Sequence, residues 1–299
     1  MIIKFSRYFK ILNILSTIIF LLSICFIVFK GLNYGIDFKG GTLFEVDFED
    51  SNANITSIRD SLNKLDIGDI NVKEFGKKGN FLIKVEKSNQ NNNKTISLVK
   101  NELNNIDNAI NYRRVENVGP KVSSELLKSG IMSICLALLA MLFYIWIRFE
   151  WQFSLGSIIA LFHDVIITLG IFSLFSIEIN LSIVAAVLTI VGYSMNDTVV
   201  IYDRIRENLF KYNKIDITQI ADISVNETLS RTLITSVTTL LALFSIFILG
   251  GSILKGFSFA MILGVVIGTY SSIFIASPAL RYLKVSSKTL EKKEEKIVP

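Results

Sequence analysis

The chain has 299 residues, of which 51% are hydrophobic, with a formal net charge of +5 and a mean hydropathy of +0.50. Its apolar residues are gathered into long blocks separated by charged segments, which excludes an ordinary soluble domain and predicts a multi-spanning membrane protein. The positive charge therefore does not indicate a nucleic-acid partner, and its distribution along the chain matters more than its sum.

Six apolar blocks are long enough to be membrane-spanning helices, because about 20 residues cross a hydrocarbon core of about 30 Å. They are 11–29, 131–147, 153–175, 181–202, 233–249 and 257–276. Both cysteines, Cys25 and Cys135, lie inside spans, so we predict neither a disulfide nor metal ligation for them. The sequence indicates no metal, nucleotide or organic cofactor and no catalytic constellation, and we do not expect an enzyme.

The basic residues predict the orientation of the spans, because lysine and arginine are enriched on the cytoplasmic side of a membrane. They lie before the first span, in segment 203–232 and in the tail 281–299. Both termini and the 203–232 connection are therefore predicted to be cytoplasmic, and residues 31–120 to lie on the other side. The predicted organisation is a first span within 1–30, an external domain at 31–120, a five-helix bundle at 121–280 and the tail.

The segment after the first span predicts a small α+β domain. Residues 35–42, Gly-Ile-Asp-Phe-Lys-Gly-Gly-Thr, form a glycine-rich turn that leads into a strand. A helix (55–65), two strands (70–75 and 81–86), a second helix (95–106) and a last strand (109–115) follow. This βαββαβ order is that of a ferredoxin-like domain. The domain has no cluster of catalytic residues, which favours a binding or moving role, and Pro120 then suits the start of the second span.

The third span contains the chain's one histidine, His163, next to Asp164. Asp164 lies roughly 16 Å from the start of the span, near the middle of the membrane. Two titratable neighbours at this depth are candidates for a proton relay. A polar pair that is satisfied by neighbouring helices explains them equally well.

The fourth span contains Asp197, roughly 24 Å from its start at Leu181. An ionisable group at that depth costs several kcal/mol unless it is paired or hydrated. Four polar side chains surround it in sequence: Tyr193, Ser194, Asn196 and Thr198. This polar cluster favours a functional site over a carboxylate that simply reaches the headgroups.

Segment 203–232, between the fourth and fifth spans, has the apolar spacing of an amphipathic helix lying on the membrane or under the bundle. Arg231 heads a stripe of threonines, which includes Thr235, on one face of the fifth span. Threonines in a helix can bond back to their own backbone, but the arginine favours a hydrated path. Arg231 and Asp197 lie toward the same end of their helices, so we predict that they can pair.

These motifs resemble those of the SecD/SecF family of protein-export membrane subunits, in the resistance-nodulation-division superfamily. The matching segments are 35–42, 118–120 (Val-Gly-Pro), 192–208 (beginning Gly-Tyr-Ser-Met-Asn-Asp-Thr) and 230–232 (Ser-Arg-Thr). One span, an external domain and five further spans are half of the superfamily's layout. The resemblance covers essentially the whole chain.

The resemblance implies a subunit of the bacterial inner membrane that works with SecD and the proton gradient to draw preproteins through the SecYEG channel. YajC and YidC are further implied partners, and residues 31–120 would be periplasmic. Asp197 and Arg231 match residues that the family is thought to use in proton passage. His163 and Asp164 match a polar pair of the third span and are further candidates.

Three other functions stay open at this point. An intramembrane aspartyl protease would also place aspartates on adjacent spans, here Asp164 and Asp197, but the Gly-x-Gly-Asp element of such enzymes is absent. Half of a small-molecule or lipid exporter of the same superfamily is the second, although its external domains are usually much larger. A purely structural scaffold of the translocon is the third.

Overall fold

The structure is a computed structural model that describes residues 3–48, 54–74, 76–86, 92–107, 109–212, 215–286 and 289. Six of its helical segments are long and apolar enough to cross a membrane: Ser6–Phe29, Pro120–Arg148, Trp151–Leu174, Leu181–Lys211, Ile217–Leu249 and Leu254–Tyr282. Each corresponds to one of the six spans that the sequence predicts. The chain is therefore a multi-pass membrane protein.

The helices are α1 (Ser6–Phe29), α2 (Ile36–Lys39), α3 (Ile55–Asn63), α4 (Asn92–Ile106), α5 (Pro120–Arg148), α6 (Trp151–Leu174), α7 (Leu181–Lys211), α8 (Ile217–Leu249), α9 (Ser252–Ser271) and α10 (Ser277–Tyr282). A π-helical turn, Ser272–Ala276, joins the last two. The strands are β1 (Asn33–Tyr34), β2 (Gly41–Asp47), β3 (Asp69–Glu74), β4 (Asn80–Glu86), β5 (Asn111–Val118) and β6 (Glu178–Ile179).

Segment 203–232 is not a separate amphipathic helix, and that prediction is wrong. Residues 203–211 continue α7 and residues 217–232 form the beginning of α8. The apolar spacing of this segment is explained by packing between the two extensions, where Ile205 and Leu209 are buried with Val225. A polar cluster adds to this contact, since Arg204 donates to Glu227 at 2.6 Å and Asn208 donates to Ser224 at 3.0 Å.

The chain divides into two compact units. The first contains the described residues of Met1–Asn33, Ser133–Ile177 and Ser182–Pro299, and the second those of Tyr34–Met132 and Glu178–Leu181. In the first unit, α6, α7 and the last span are the buried helices, with 61%, 50% and 56% of their apolar segments buried. The corresponding shares for α1, α5 and α8 are 11%, 11% and 17%, so these helices expose apolar surface.

Glycines on α9 allow it to approach α7 closely, as small residues do between membrane helices. A Cβ atom at Gly264 would lie 2.2 Å from Ile190 Cγ1, and one at Gly268 would lie 2.9 Å from Ser194 Cβ. The spacing of these glycines predicts a packing face. In the structure this face packs against α7, the helix that carries Asp197.

The second unit is a four-stranded sheet in the order β3-β4-β2-β5, with every neighbouring pair antiparallel. Its apolar core joins β2 and β4 to the helices α3 and α4, through buried residues such as Phe44, Ile83, Leu62 and Leu103. The glycine-rich turn enters this sheet at Gly41, where φ is +133° and a Cβ atom would lie 2.4 Å from the carbonyl oxygen of Val85. The glycine is thus explained by close backbone packing.

Replacing Gly264 by alanine is expected to destabilise the bundle by about 1–3 kcal/mol, the usual cost of overpacking. The matched control is Gly192→Ala, because no atom lies within 4 Å of a Cβ at Gly192 and alanine favours the helix. The two purified variants would be compared by thermal unfolding in detergent. Equal unfolding midpoints would contradict the close α7–α9 contact.

The stability of the first turn of α8 is expected to depend on pH. Asp216 is the N-cap and accepts a hydrogen bond from Thr218 N at 2.9 Å. Hydrogen bonds from Thr218 lower the pKa of Asp216 below 3.8. Because the pKa is lower in the folded state, the stability that this carboxylate contributes is present above its unfolded pKa and is lost as the pH falls through the folded pKa.

We expect Asp216→Ala to weaken the first turn of α8 by about 1 kcal/mol at neutral pH. Asp216→Asn still caps the helix but cannot titrate, so its first turn would stay protected at low pH. Amide hydrogen exchange of residues 217–220, corrected for intrinsic rates, measures both effects. A first turn that is equally protected in all three proteins at neutral pH would argue against the cap.

Candidate functional site

The centre of the first unit is the carboxylate of Asp164, which is fully buried. It accepts hydrogen bonds from Ser194 Oγ of α7 at 2.6 Å and from Ser271 Oγ of α9 at 2.8 Å. On its own helix, His163 Nδ1 lies 2.9 Å from Asp164 Oδ1. A buried carboxylate is costly unless it is hydrogen-bonded, and these three partners stabilise it while joining α6, α7 and α9.

One ring nitrogen of His163 has a hydrogen-bond partner, and the other has none among the described residues. Its ring is 94% buried (6% exposed) and is stacked on Phe20 of α1, with 6.3 Å between the ring centroids. Nδ1 faces Asp164, whereas Nε2 is buried and has no hydrogen-bond partner among the described residues. The orientation of the ring is thus fixed by Asp164 at one nitrogen and by Phe20 at its face.

Asp197 is also buried, with 3% of its surface exposed, but it is weakly held. Its one hydrogen bond to a described residue comes from Thr269 Oγ1 of α9, at 3.4 Å. Thr269 Oγ1 lies 2.8 Å from Ser236 Oγ of α8, and Tyr193 OH donates to Ser236 at 3.5 Å. A series of hydroxyl groups thus connects Tyr193 to Asp197 through two neighbouring helices.

The polar residues that surround Asp197 in sequence do not all surround it in space. Ser194 bonds to Asp164, and Thr198 Oγ1 lies 2.8 Å from Ser272 Oγ. Asn196 is exposed, because one residue along a helix turns the side chain by about 100°. Of the four predicted neighbours, only Tyr193 is connected to Asp197, and only through Ser236 and Thr269.

The predicted contact between Arg231 and Asp197 is not seen. Within the described ranges, no ion pair of 4 Å or less joins the two side chains, and Arg231 is exposed. The threonine stripe bonds to its own helix, as Thr235 Oγ1 donates to the carbonyl oxygens of Arg231 at 3.1 Å and Thr232 at 2.9 Å. These backbone bonds argue against the predicted hydrated path along the stripe.

Sequence reasoning missed the serines and threonines that other helices bring to the two aspartates. Ser271 and Thr269 lie on α9 and Ser236 on α8, and each contacts the polar centre only because the helices pack together. Ser271 follows Gly264 and Gly268 at spacings of seven and three residues, and in the sequence this small-residue spacing predicts helix packing alone. A hydroxyl within a packing face is the one signal that could have identified it.

The last span is interrupted directly after Ser271 by the π turn Ser272–Ala276. The hydroxyl of Tyr202 donates to the carbonyl oxygen of Ala276 at 2.9 Å. Gly156 makes room for that hydroxyl, because a Cβ there would lie 2.5 Å from Tyr202 OH. Single π turns within α-helices are frequent at functional sites, and this one adjoins the serine that binds Asp164.

The described residues contain no group of three or more His, Cys, Asp or Glu side chains that could hold a metal ion. What the polar centre offers is hydroxyl, imidazole and carboxylate groups, which can exchange protons. Six apolar helices around such a centre, with an α+β unit inserted after the first helix, define a multi-pass membrane protein with buried titratable groups.

Comparisons with known proteins identify the family. The profile described as "Protein export membrane protein SecD/SecF, C-terminal" matches residues 98–286, and the "SecD/SecF GG Motif" matches residues 26–51. The chain is 44% identical over 293 residues to "Protein translocase subunit SecF" of Rickettsia rickettsii, covering 96% of this chain and 95% of that one. It is 44% identical over 264 residues to the subunit of the same name from Cereibacter sphaeroides, covering 85% and 81%. The chain therefore belongs to the SecD/SecF family of protein-export membrane proteins.

Two solved structures resemble this one. SecDF from Thermus thermophilus, described as a translocon-associated membrane protein, is 32% identical with a TM-score of 0.84. SecDF in a super-membrane-facing form is 32% identical with a TM-score of 0.70. This chain is covered to 94% and 98%, but it spans only 38% and 40% of those chains. It therefore corresponds to a part of each SecDF chain.

Tyr202→Phe is expected to lower the stability of the bundle by about 1–3 kcal/mol, because the buried carbonyl oxygen of Ala276 loses its donor while the ring stays packed. Tyr144→Phe is the matched control, since Tyr144 is 52% exposed on α5. Thermal unfolding of the two variants in one detergent measures the difference. If Tyr202→Phe unfolds at the temperature of the control, the bond to Ala276 contributes nothing.

Proposed function

We propose that this chain is the SecF half of a SecD–SecF pair that uses the proton gradient to promote preprotein translocation through the SecYEG channel. YajC and YidC are proposed as further partners, and a preprotein as the substrate. Family membership supports the assignment to protein export. The proton-driven step is supported by one observation above all, which is a buried carboxylate, Asp197, with a single long hydrogen bond to a described residue.

Asp197 is suited to reversible protonation because so little holds it in one state. A hydrogen bond of 3.4 Å from a threonine stabilises a buried carboxylate weakly, so a change of water access or of a nearby charge shifts its proton occupancy. In a low-dielectric bundle, gaining or losing a unit charge changes which helix packing is favoured. We propose that this change drives a stroke of the external domain.

Arg231 is proposed to act on the proton pathway from the exposed face of α8. The apolar segment of that helix is only 17% buried, so the face is open to a partner chain. In this proposal, SecD covers it, and the pairing of Arg231 with a carboxylate changes during the cycle. Asp164 and His163 form the second proton-handling group, whose carboxylate is fully satisfied in the present packing.

We further propose that both termini are cytoplasmic and that residues 31–120 are a ferredoxin-like periplasmic domain. The antiparallel strand order β3-β4-β2-β5, with α3 and α4 in one core, supports the domain assignment. Basic residues in 203–232 and in the tail support the orientation. A half exporter for small molecules or lipids and a structural scaffold are the alternatives that the following experiment separates.

The experiment is preprotein translocation into inverted vesicles, with and without a proton gradient, at equal abundance of the complex. We expect Asp197→Asn and Arg231→Met to lose the part of preprotein translocation that depends on the proton gradient. Translocation without a gradient is expected to stay unchanged. Asp203→Asn is the matched control, because it removes a carboxylate of the same helix whose side chain is 43% exposed.

Unchanged gradient dependence in Asp197→Asn, with the complex intact, would reduce Asp197 to a structural polar group and favour the scaffold. Sensitivity to drugs without any export defect would favour the exporter. If Asp203→Asn loses as much gradient-dependent translocation as Asp197→Asn, then translocation depends on the charge of α7 in general and not on the buried site.

A further inference from the structure

The first residue of α7 lies in a different unit from the rest of that helix. Contacts place Glu178–Leu181 in the second unit, whereas α7 begins at Leu181 and otherwise belongs to the first unit. The same helix carries Asp197, roughly 24 Å from Leu181 at about 1.5 Å per residue. One continuous helix therefore leads from the second unit to the weakly held carboxylate.

The beginning of α7 is held by a carboxylate that is distant in sequence. Asp37 Oδ2 accepts a hydrogen bond from Leu181 N at 2.8 Å. The first four N–H groups of a helix have no partner within the helix, and a negative charge beside them is favourable. Asp37, in the glycine-rich turn, thus caps α7 from another segment of the chain.

Backbone pairing brings the same two segments together. Strand β1 pairs with β6, the strand that precedes α7. Next to this pair, Gly35 N donates to Ile179 O at 2.8 Å. Residues 34–37 and Glu178–Leu181, which these bonds connect, are termed the joint.

The joint is anchored to the four-stranded sheet of the second unit. Lys84 of β4, which is only 6% exposed, donates to Tyr34 O at 3.1 Å. Glu86 of the same strand pairs with Lys84 and with Lys39 of α2, each at 3.3 Å. Phe38 of α2 is buried, and its ring packs edge-on against Tyr34. The segment that caps α7 is therefore fixed to the sheet.

We propose that Asp37 is a positioning residue that couples α7 to the external domain. The joint stays closed, and a movement of α7 passes through Asp37 and the β1–β6 pair to the sheet. Opening the joint would break the bonds at Leu181 and Ile179 together, which favours the closed state. The cause of the movement rests on the proton-driven function proposed above, and the joint gives that movement a route to the external domain.

The coupling is tested first at Asp37, by preprotein translocation into inverted vesicles at equal abundance of the complex. Asp37→Ala removes the acceptor of Leu181 N, and we expect it to lose the part of translocation that depends on the proton gradient. Asp37→Asn keeps an acceptor oxygen and is expected to keep that part. Asp60→Ala, which removes an exposed carboxylate of α3, is the matched control. Loss of translocation without a gradient as well would make Asp37 a merely structural residue and overturn the coupling.

A disulfide tests whether the joint stays closed. A Cβ at Gly35 would lie 3.3 Å from Glu178 Cγ, and a cysteine sulfur at position 178 takes the place of that Cγ. Gly35→Cys and Glu178→Cys are therefore close enough to pair. With Cys25 and Cys135 replaced by alanine, the oxidised pair is expected to keep gradient-dependent translocation and to restore it in Asp37→Ala. Each single cysteine variant is the control. A loss on oxidation that a reductant reverses would mean that the joint opens, and the coupling would be wrong.

The outcomes separate this proposal from the proposed function. If Asp197→Asn loses gradient dependence but Asp37→Ala keeps it, the proposed function stands and the coupling is wrong. Failure of the disulfide to restore Asp37→Ala would also overturn the coupling. If Asp197→Asn keeps its gradient dependence while Asp37→Ala loses it and the disulfide restores it, the proposed role of Asp197 fails and the coupling is supported.

Discussion

The bundle depends on the polar contacts of the buried Asp164 carboxylate, which accepts two serine hydrogen bonds and lies 2.9 Å from His163 Nδ1. They require Ser194 of α7 and Ser271 of α9 to reach one carboxylate oxygen, at 2.6 and 2.8 Å. That geometry is possible only because Gly268 lacks a side chain where α9 meets Ser194. Small residues and hydrogen bonds are the main specific contacts available between helices in lipid. The contact between α7 and α9 contains both, the close approach at Gly268 and the serine hydrogen bonds to Asp164.

The two buried aspartates differ in what surrounds them rather than in chemistry. Asp164 has three polar partners, on α6, α7 and α9, and these contacts join the three helices. Asp197 has one long bond from Thr269, so its environment can change at low cost. The bundle therefore combines one carboxylate that three polar partners hold with a second that a single long hydrogen bond holds.

The sequence predicts the six spans and the βαββαβ order of the inserted unit because hydrophobic blocks and strand–helix alternation are local signals. It also singles out Asp164 and Asp197, since charge within an apolar block is visible in one dimension. It does not reveal Ser236, Thr269 or Ser271, because a hydroxyl residue within a span is ordinary until another helix brings it to a carboxylate. For the same reason it wrongly assigns Asn196 and Thr235 to the polar shell of Asp197. It also does not predict that α7 and α8 continue beyond their apolar blocks, because those extensions are stabilised by packing against each other rather than by an apolar environment.

The π turn Ser272–Ala276 has a consequence for the length of the last span. A π turn is an α-helix with one residue inserted, so the chain carries one residue more than a regular helix between Ser271 and Pro278 would need. Removing any one residue from it would restore a regular helix but rotate everything on one side by about 100°. Ser271 would then turn away from Asp164, or the buried Leu280 of α10 would turn away from the apolar core. The extra residue thus sets the rotation of α10 relative to α9, and with it the directions in which Leu280 and Ser271 point.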